Sequence, residues 1–264
     1  MPAIGVLTLR DLCGLWRRTL LQHQGREADR TSPVFWLQGP RFFLDLRQPA
    51  NLALFDGVGC LRDLRLEQCR ELARQQGFAG VLSLDGDIAE WRREIDFQPD
   101  SGIADRAQLQ LTGQVLTETG TEAPYIEQWE RESDPADPGW GARLREAESG
   151  RTGFVARVDN RLMFARSRAS PLPSGGSLGR EIDAAETLEA RCDLLDFEIS
   201  LGRIGPGGSW LIERSTLPFK QGRRWPVHKC DSREFAIGDL DPAGRPVTRQ
   251  WRIVEADGPL KDFP

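Results

Sequence analysis

The strongest constraint on this chain is that three β-hairpin signatures occur twice, in the same order, about 120 residues apart. The turn Gln38-Gly39-Pro40 is answered by Asp159-Asn160. IAEWRREIDFQP, which carries Trp91, is answered by GSWLIERSTLPF, which carries Trp210. YIEQWERE, with Trp129, is answered by VTRQWRIVE, with Trp251. A period this long belongs to a whole folding unit and not to a solenoid repeat. Each copy is long enough to enclose its own core. The predicted organisation is therefore an N-terminal unit over 1–135, a linker over 136–150 and a C-terminal unit over 151–264. The linker is read from SDPADPGWG and the charged stretch that follows it to Ser149, which is rich in chain breakers and poor in core residues.

Within each copy, short segments of alternating character are punctuated by Gly, Asp, Asn and Pro, the pattern of antiparallel strands. Strands are predicted at 14–22, 34–38, 41–47, 78–85, 88–98, 106–112, 114–119 and 124–132. The second set lies at 153–158, 161–168, 194–204, 208–217, 233–238 and 247–255. Helical spacing of Leu61, Leu64, Cys69, Leu72 and Ala73, stopped by Gly77, predicts one helix over 60–75, and a weaker pattern predicts its counterpart over 181–191. Hairpin-by-hairpin order suits an up-and-down meander, and closing such a sheet removes its exposed edges. The expected fold is all-β: two tandem antiparallel β-barrels related by internal duplication, each with one short helix.

Charge and cysteine usage exclude several functions. A net charge of −5 with a pI near 5.3 gives no basic face for nucleic acid. Five cysteines, scattered and without a C-x-x-C pair, suit neither a disulfide framework nor a zinc ribbon, and an odd number of thiols fits a reducing cytoplasm. The apolar AIGVLTL near the N-terminus is too short for a signal-peptide core, and no segment is long enough to span a membrane.

Candidate binding residues follow from strand alternation. On 88–97, Ala89, Trp91, Arg93, Ile95 and Phe97 fall on one face, opposite Glu90, Arg92, Glu94 and Asp96. The charged face must be wet, so Arg93 is expected to point inward among large apolar side chains. The strand 125–131 places Tyr125, Glu127, Trp129 and Arg131 together in the same way. A guanidinium turned into a barrel needs a carboxylate, carbonyls, water or a bound anion. Two readings stay open. In one, Arg93, Arg131 and the Tyr125 hydroxyl hold the acidic head of a hydrophobic or amphipathic ligand packed on Trp91, Ile95, Phe97 and Trp129. In the other, Arg93 pairs with Glu127 and the network is structural.

Other motifs fail on context. Gly175-Gly176-Ser177-Leu178-Gly179 spells a nucleophile elbow, but a loop-like Ser-Arg-Ala-Ser-Pro-Leu-Pro precedes it where a strand is required. Gly57-Val58-Gly59 lacks the third glycine of a dinucleotide fingerprint. His23 and His228 share no metal-like spacing with each other or with cysteine, and no cofactor is expected.

LWRRTLL (15–21), VFWLQ and FFLDLRQP (34–49), GFAG (77–80), WRREIDFQP (91–99) and YIEQWERE (125–132) resemble a family of lipocalin-like, calycin-type proteins of bacteria and fungi built from two non-identical barrels. The resemblance covers mainly the first half. It implies a tandem calycin-like fold, in which barrels bind small apolar molecules inside or use their rims for protein contacts. It transfers no catalytic or ligand-contacting residue. The reading is thus of a non-enzymatic binding protein for a small hydrophobic or carboxylate ligand. The first alternative is an interaction scaffold with solid barrels, with protein contacts near the 60–75 helix or Trp140; the second is an uncharacterised barrel enzyme, for which the sequence offers no nucleophile–base pair or metal cluster.

Overall fold

The computed structural model describes residues 7–53, 55–132 and 138–260. A single helical turn, α1 (Leu9–Leu12), leads into eight strands: β1 (Gly14–His23), β2 (Val34–Gln38), β3 (Phe42–Arg47), β4 (Gln76–Asp85), β5 (Ile88–Asp96), β6 (Arg106–Thr112), β7 (Val115–Gly120) and β8 (Tyr125–Arg131). Each pairs antiparallel with the next, and β8 returns to β1 to close the barrel. A 3₁₀ turn at Leu61–Asp63 and helix α2 (Leu66–Leu72) connect β3 to β4. The continuous helix expected over 60–75 is therefore two pieces, broken where Leu64 takes an extended conformation.

The second half repeats this order. Its strands are β9 (Trp140–Glu146), β10 (Thr152–Val158), β11 (Arg161–Arg166), β12 (Glu198–Ile204), β13 (Trp210–Ser215), β14 (Arg224–Trp225), β15 (Val227–Lys229), β16 (Glu234–Leu240) and β17 (Pro246–Asp257). Helices α3 (Leu178–Ala184) and α4 (Leu188–Leu195) lie between β11 and β12, as α2 lies between β3 and β4. The strand expected from 194 begins only at Glu198, because Leu194 and Leu195 complete α4. β17 pairs with β9, and the two ends of the sheet are β14 and β15. Those ends are the two sides of Pro226: β14 pairs with β13, and β15 pairs with β16. Proline has no N–H to give the ladder, so one strand is split there and the second barrel is nearly closed.

The linker expected over 136–150 is overturned by β9. Trp140, Ala142 and Leu144 are buried in the second barrel, and β9 is hydrogen-bonded on both sides. The breakers that suggested a linker at 133–141 fall partly on residues outside those described.

Three apolar clusters organise the packing. One fills the first barrel around Trp16, Trp36, Trp91 and Trp129; another fills the second around Trp140, Trp210, Trp225 and Trp251. The third lies between the barrels, where Leu44 and Leu46 of β3 and Phe154 and Ala156 of β10 join α2, α3 and α4. Phe42 meets Phe154 and Phe97 meets Phe197 across this layer. β3 and β10 thus have no wet face: each buries one side in its own barrel and the other against its neighbour. Residues that alternation assigns to solvent are apolar for that reason.

Candidate functional site

Alternation along β5 holds only as far as Arg93. Gly80 of β4 faces Arg93 while Ala79 faces Ile95, so Glu94 is an extra, bulged residue. Gly80 makes the bulge possible: a Cβ there would lie 1.9 Å from the Arg92 carbonyl oxygen. The bulge reverses the strand's faces. Trp91 and Arg93 point into the first barrel, whereas Ile95 and Phe97 point out into the layer between barrels. The expectation of one inward row of Trp91, Arg93, Ile95 and Phe97 is therefore corrected, and Asp96, expected on the wet face, comes to the barrel end beside Arg93. The second barrel repeats the device: Gly202 faces Ile212, Leu201 faces Arg214, and Glu213 is the extra residue.

Four indoles close the floor of the first barrel. Trp36 lies at their centre, 6.0 Å from Trp16, 5.6 Å from Trp91 and 5.8 Å from Trp129 between ring centroids. Above them the barrel end opens into a cup of about 410 Å³ lined by residues of β1, β2, β3, β4, β5 and β8 with their flanking loops, among them Arg18, Arg47, Arg93, Asp105, Tyr125 and Glu127. That volume is in the range of small-molecule sites, which run to roughly 300–1,000 Å³.

The cup is walled by ion pairs. Arg18 donates to Glu127 Oε1 at 2.6 Å and to Asp29 at 2.9 Å. Arg47 donates to Asp45 at 2.8 Å and to the same Glu127 oxygen at 3.2 Å. Arg93 donates to Asp105 and Asp96, with its guanidinium 3.5 Å from the centre of the Phe78 ring. Glu127 is buried, yet its second oxygen, Oε2, has no hydrogen-bond partner. Directly opposite it across the β7–β8 ladder stands Glu118, which accepts from the Tyr125 hydroxyl at 2.7 Å and from Trp129 Nε1 at 3.0 Å. Burial, then the neighbouring Glu127 charge, push the Glu118 carboxyl up to about 8. Burial works against Asp29 too, but hydrogen bonds from Thr31 and Ser32 and the Arg18 charge outweigh it and hold Asp29 at about 2.

The eight sequence-predicted residues thus separate. Arg93, Tyr125 and Glu127 line the cup; Trp91 and Trp129 are buried in the indole cluster of the same barrel and do not line it; Ile95 and Phe97 leave the barrel; Arg131 lies near the other end. Arg131 faces Trp16 across β1 while Tyr125 faces His23, six residues along β8 and so roughly 20 Å away. Arg131 stacks on Trp16 and donates to the Asp11 carbonyl. It cannot join Arg93 and Tyr125 on one ligand head. Nor does Arg93 pair with Glu127, since the partners of Glu127 are Arg18 and Arg47.

Arg18, Asp45, Arg47 and Glu118 are missing from the sequence reading. A signal exists for two of them: Asp45 and Arg47 interrupt the apolar run FFLDLR at alternate positions, which puts them on the face shared with buried Phe43.

The second barrel fills the matching space with charged side chains. The 3₁₀ turn Pro218–Lys220 after β13 carries Lys220 into the interior, where Nζ lies 2.5 Å from Glu198 and 2.6 Å from Asp239, over the Trp225 ring. Arg249 ties Asp239 to Glu146, and Arg166 bonds Asp196. The space left among these groups is about 10 Å³, room for one water.

No family model and no curated protein matches the chain. Among solved structures, it is similar to the crystal structure of an uncharacterised protein of Saccharomyces cerevisiae, with 13% identity and a TM-score of 0.51 over 92% of this chain and 98% of that one. A likeness at that identity speaks for a shared fold: this chain has the two-barrel architecture also found in a yeast protein.

Proposed function

We propose that this protein is a non-enzymatic binding protein whose first barrel takes a small ligand in the cup above the tryptophan floor. The contrast between a cup of about 410 Å³ in the first barrel and a pocket of about 10 Å³ around Lys220 in the second carries the reading. The ligand sits at the mouth, against Arg93, Tyr125 and Glu127, because the indoles fill the space below. We read the two halves as copies of one calycin-type unit, a reading supported by their common strand order, the helices at matching places and the paired bulges at Glu94 and Glu213. The copies then diverged: one stayed open and the other became a solid support. A cytoplasmic setting fits the five unpaired cysteines, four of them buried; no described helix is long and apolar enough to cross a membrane.

The scaffold reading is weaker. It asks for an exposed apolar patch near α2 or Trp140, but Trp140 is buried and α2 packs into the layer between barrels. The test is native mass spectrometry of protein purified from its own host, alongside Gln76→Trp, which fills the cup from an exposed position at its rim. A stoichiometric organic adduct on the wild type, absent from the variant, is expected. An equal adduct on both would move the site elsewhere.

A further inference from the structure

The charge count of the cup specifies its ligand more closely. Arg18 meets Asp29 and Glu127, Arg47 meets Asp45 and Glu127, and Arg93 meets Asp96 and Asp105. The three guanidiniums are therefore bonded to five carboxylates, of which Glu127 and Asp105 line the cup while Asp29, Asp45 and Asp96 lie behind its lining, and every guanidinium in this set is already bonded to acid. Arg74, also on the rim, is matched by Glu71. An incoming anion would find each arginine of the lining already paired, and would have to displace a carboxylate or sit beside one in a partly desolvated site.

The unsatisfied group has the same sign. Glu127 lines the cup and is only 2% exposed, yet its Oε2 accepts no hydrogen bond. A buried carboxylate oxygen without a donor is costly, and a charged N–H is the donor that satisfies it best. The rings of Tyr125 and His23, edge to face 6.2 Å apart, add π faces at the rim. Gln48, Gln76 and Ser32 supply neutral polar groups around the opening for the rest of the molecule. The acidic head expected from strand alternation rested on Arg93 and Arg131 acting together, and their separation along the barrel removes that basis.

Resting on the reading of the cup as a binding site, we propose that it takes a small organic cation, an alkyl ammonium whose N–H groups meet Glu127 in the wall and Asp105 at the rim. Three probes of equal carbon length test this by isothermal titration calorimetry on the full chain at neutral pH and low salt: 1,4-diaminobutane, butane-1,4-diol and succinate. The diamine is expected to bind at least about tenfold more tightly than either other probe, the size of one charge-assisted hydrogen bond. Glu127→Gln should weaken the diamine about tenfold or more. Asp105→Asn, at a position more exposed than Glu127, should weaken it several-fold. Diol or succinate binding as well as the diamine would overturn the cation while leaving the cup a binding site. Diamine binding that neither variant changes would overturn the placement. Failure of all three probes to bind would remove both the cation and the cup as a site for small molecules.

Discussion

The two barrels start from the same materials and end differently. Each encloses four buried tryptophans, each is bulged where its fifth strand leaves the core, and each carries helices between its third and fourth strands. The difference lies in one connection. After β13 the chain turns inward at Pro218–Lys220 and drops an ammonium between Glu198 and Asp239. After β5 it runs outward, so that Phe97 packs between the barrels and the space above the indoles stays open. Whether a barrel end stays open is thus set less by its wall than by whether one loop supplies an internal plug.

The comparison breaks most sharply at the plug. Lys220→Ala leaves Glu198 and Asp239 buried without their shared cation, and is expected to cost about 3–5 kcal/mol in urea unfolding. If it costs under about 1 kcal/mol, Lys220 does not seal the second barrel. The paired bulges come next. Gly80→Ala puts a Cβ 1.9 Å from the Arg92 carbonyl oxygen and Gly202→Ala puts one 2.3 Å from that of Leu211. Losses of about 3 and about 2 kcal/mol are expected, in that order, since backbone must shift in both. A neutral result at either position would mean that its bulge is not held by the missing side chain.

Smaller effects sharpen the contrast in electrostatics. Glu118 has its folded-state value raised from 4.5 to about 8, so above pH 4.5 the unfolded chain sheds a proton that the folded chain keeps. Stability should therefore fall as pH rises from about 4.5 and level off above about 8, by up to a few kcal/mol. Glu118→Gln should flatten that slope in denaturation curves taken across the range. Asp239 of the second barrel behaves oppositely: burial opposes its charge, but Lys220, Arg166 and Arg249 hold it at about 2, so its contribution is lost only as pH falls from about 4 toward 2. Least of all, Arg17→Ala should change stability by no more than about 0.5 kcal/mol, because the pair it makes with Glu130 on the outer wall is exposed on both sides.

Most strands were legible in the sequence because hairpin turns and alternation are local. Val158 and Arg161 pair across the two-residue turn predicted at Asp159-Asn160, and β2, β6 and their partners fall within a residue or two of expectation. β9 was not legible, since its Gly, Arg and Glu content reads as linker until both neighbours cover it. The site was legible only in part. Arg93, Tyr125 and Glu127 were found by facing alone, but Arg18, Asp45, Arg47 and Glu118 come from β1, β3 and β7, and nothing local ties those strands to one barrel end.

What the chain's wording determined by itself was the repeated hairpin order, the strand positions of Trp91, Trp129, Trp210 and Trp251 and the rejection of the spelled motifs, all of which rest on spacing of a few residues. Tertiary structure alone decided which side of β5 faces inward beyond Arg93, that the two barrels share a buried layer, and that one is plugged while the other is open. Those outcomes depend on a single-residue bulge and on contacts between segments far apart in sequence. A shift of one residue reverses every later side chain, and local pattern carries no record of it.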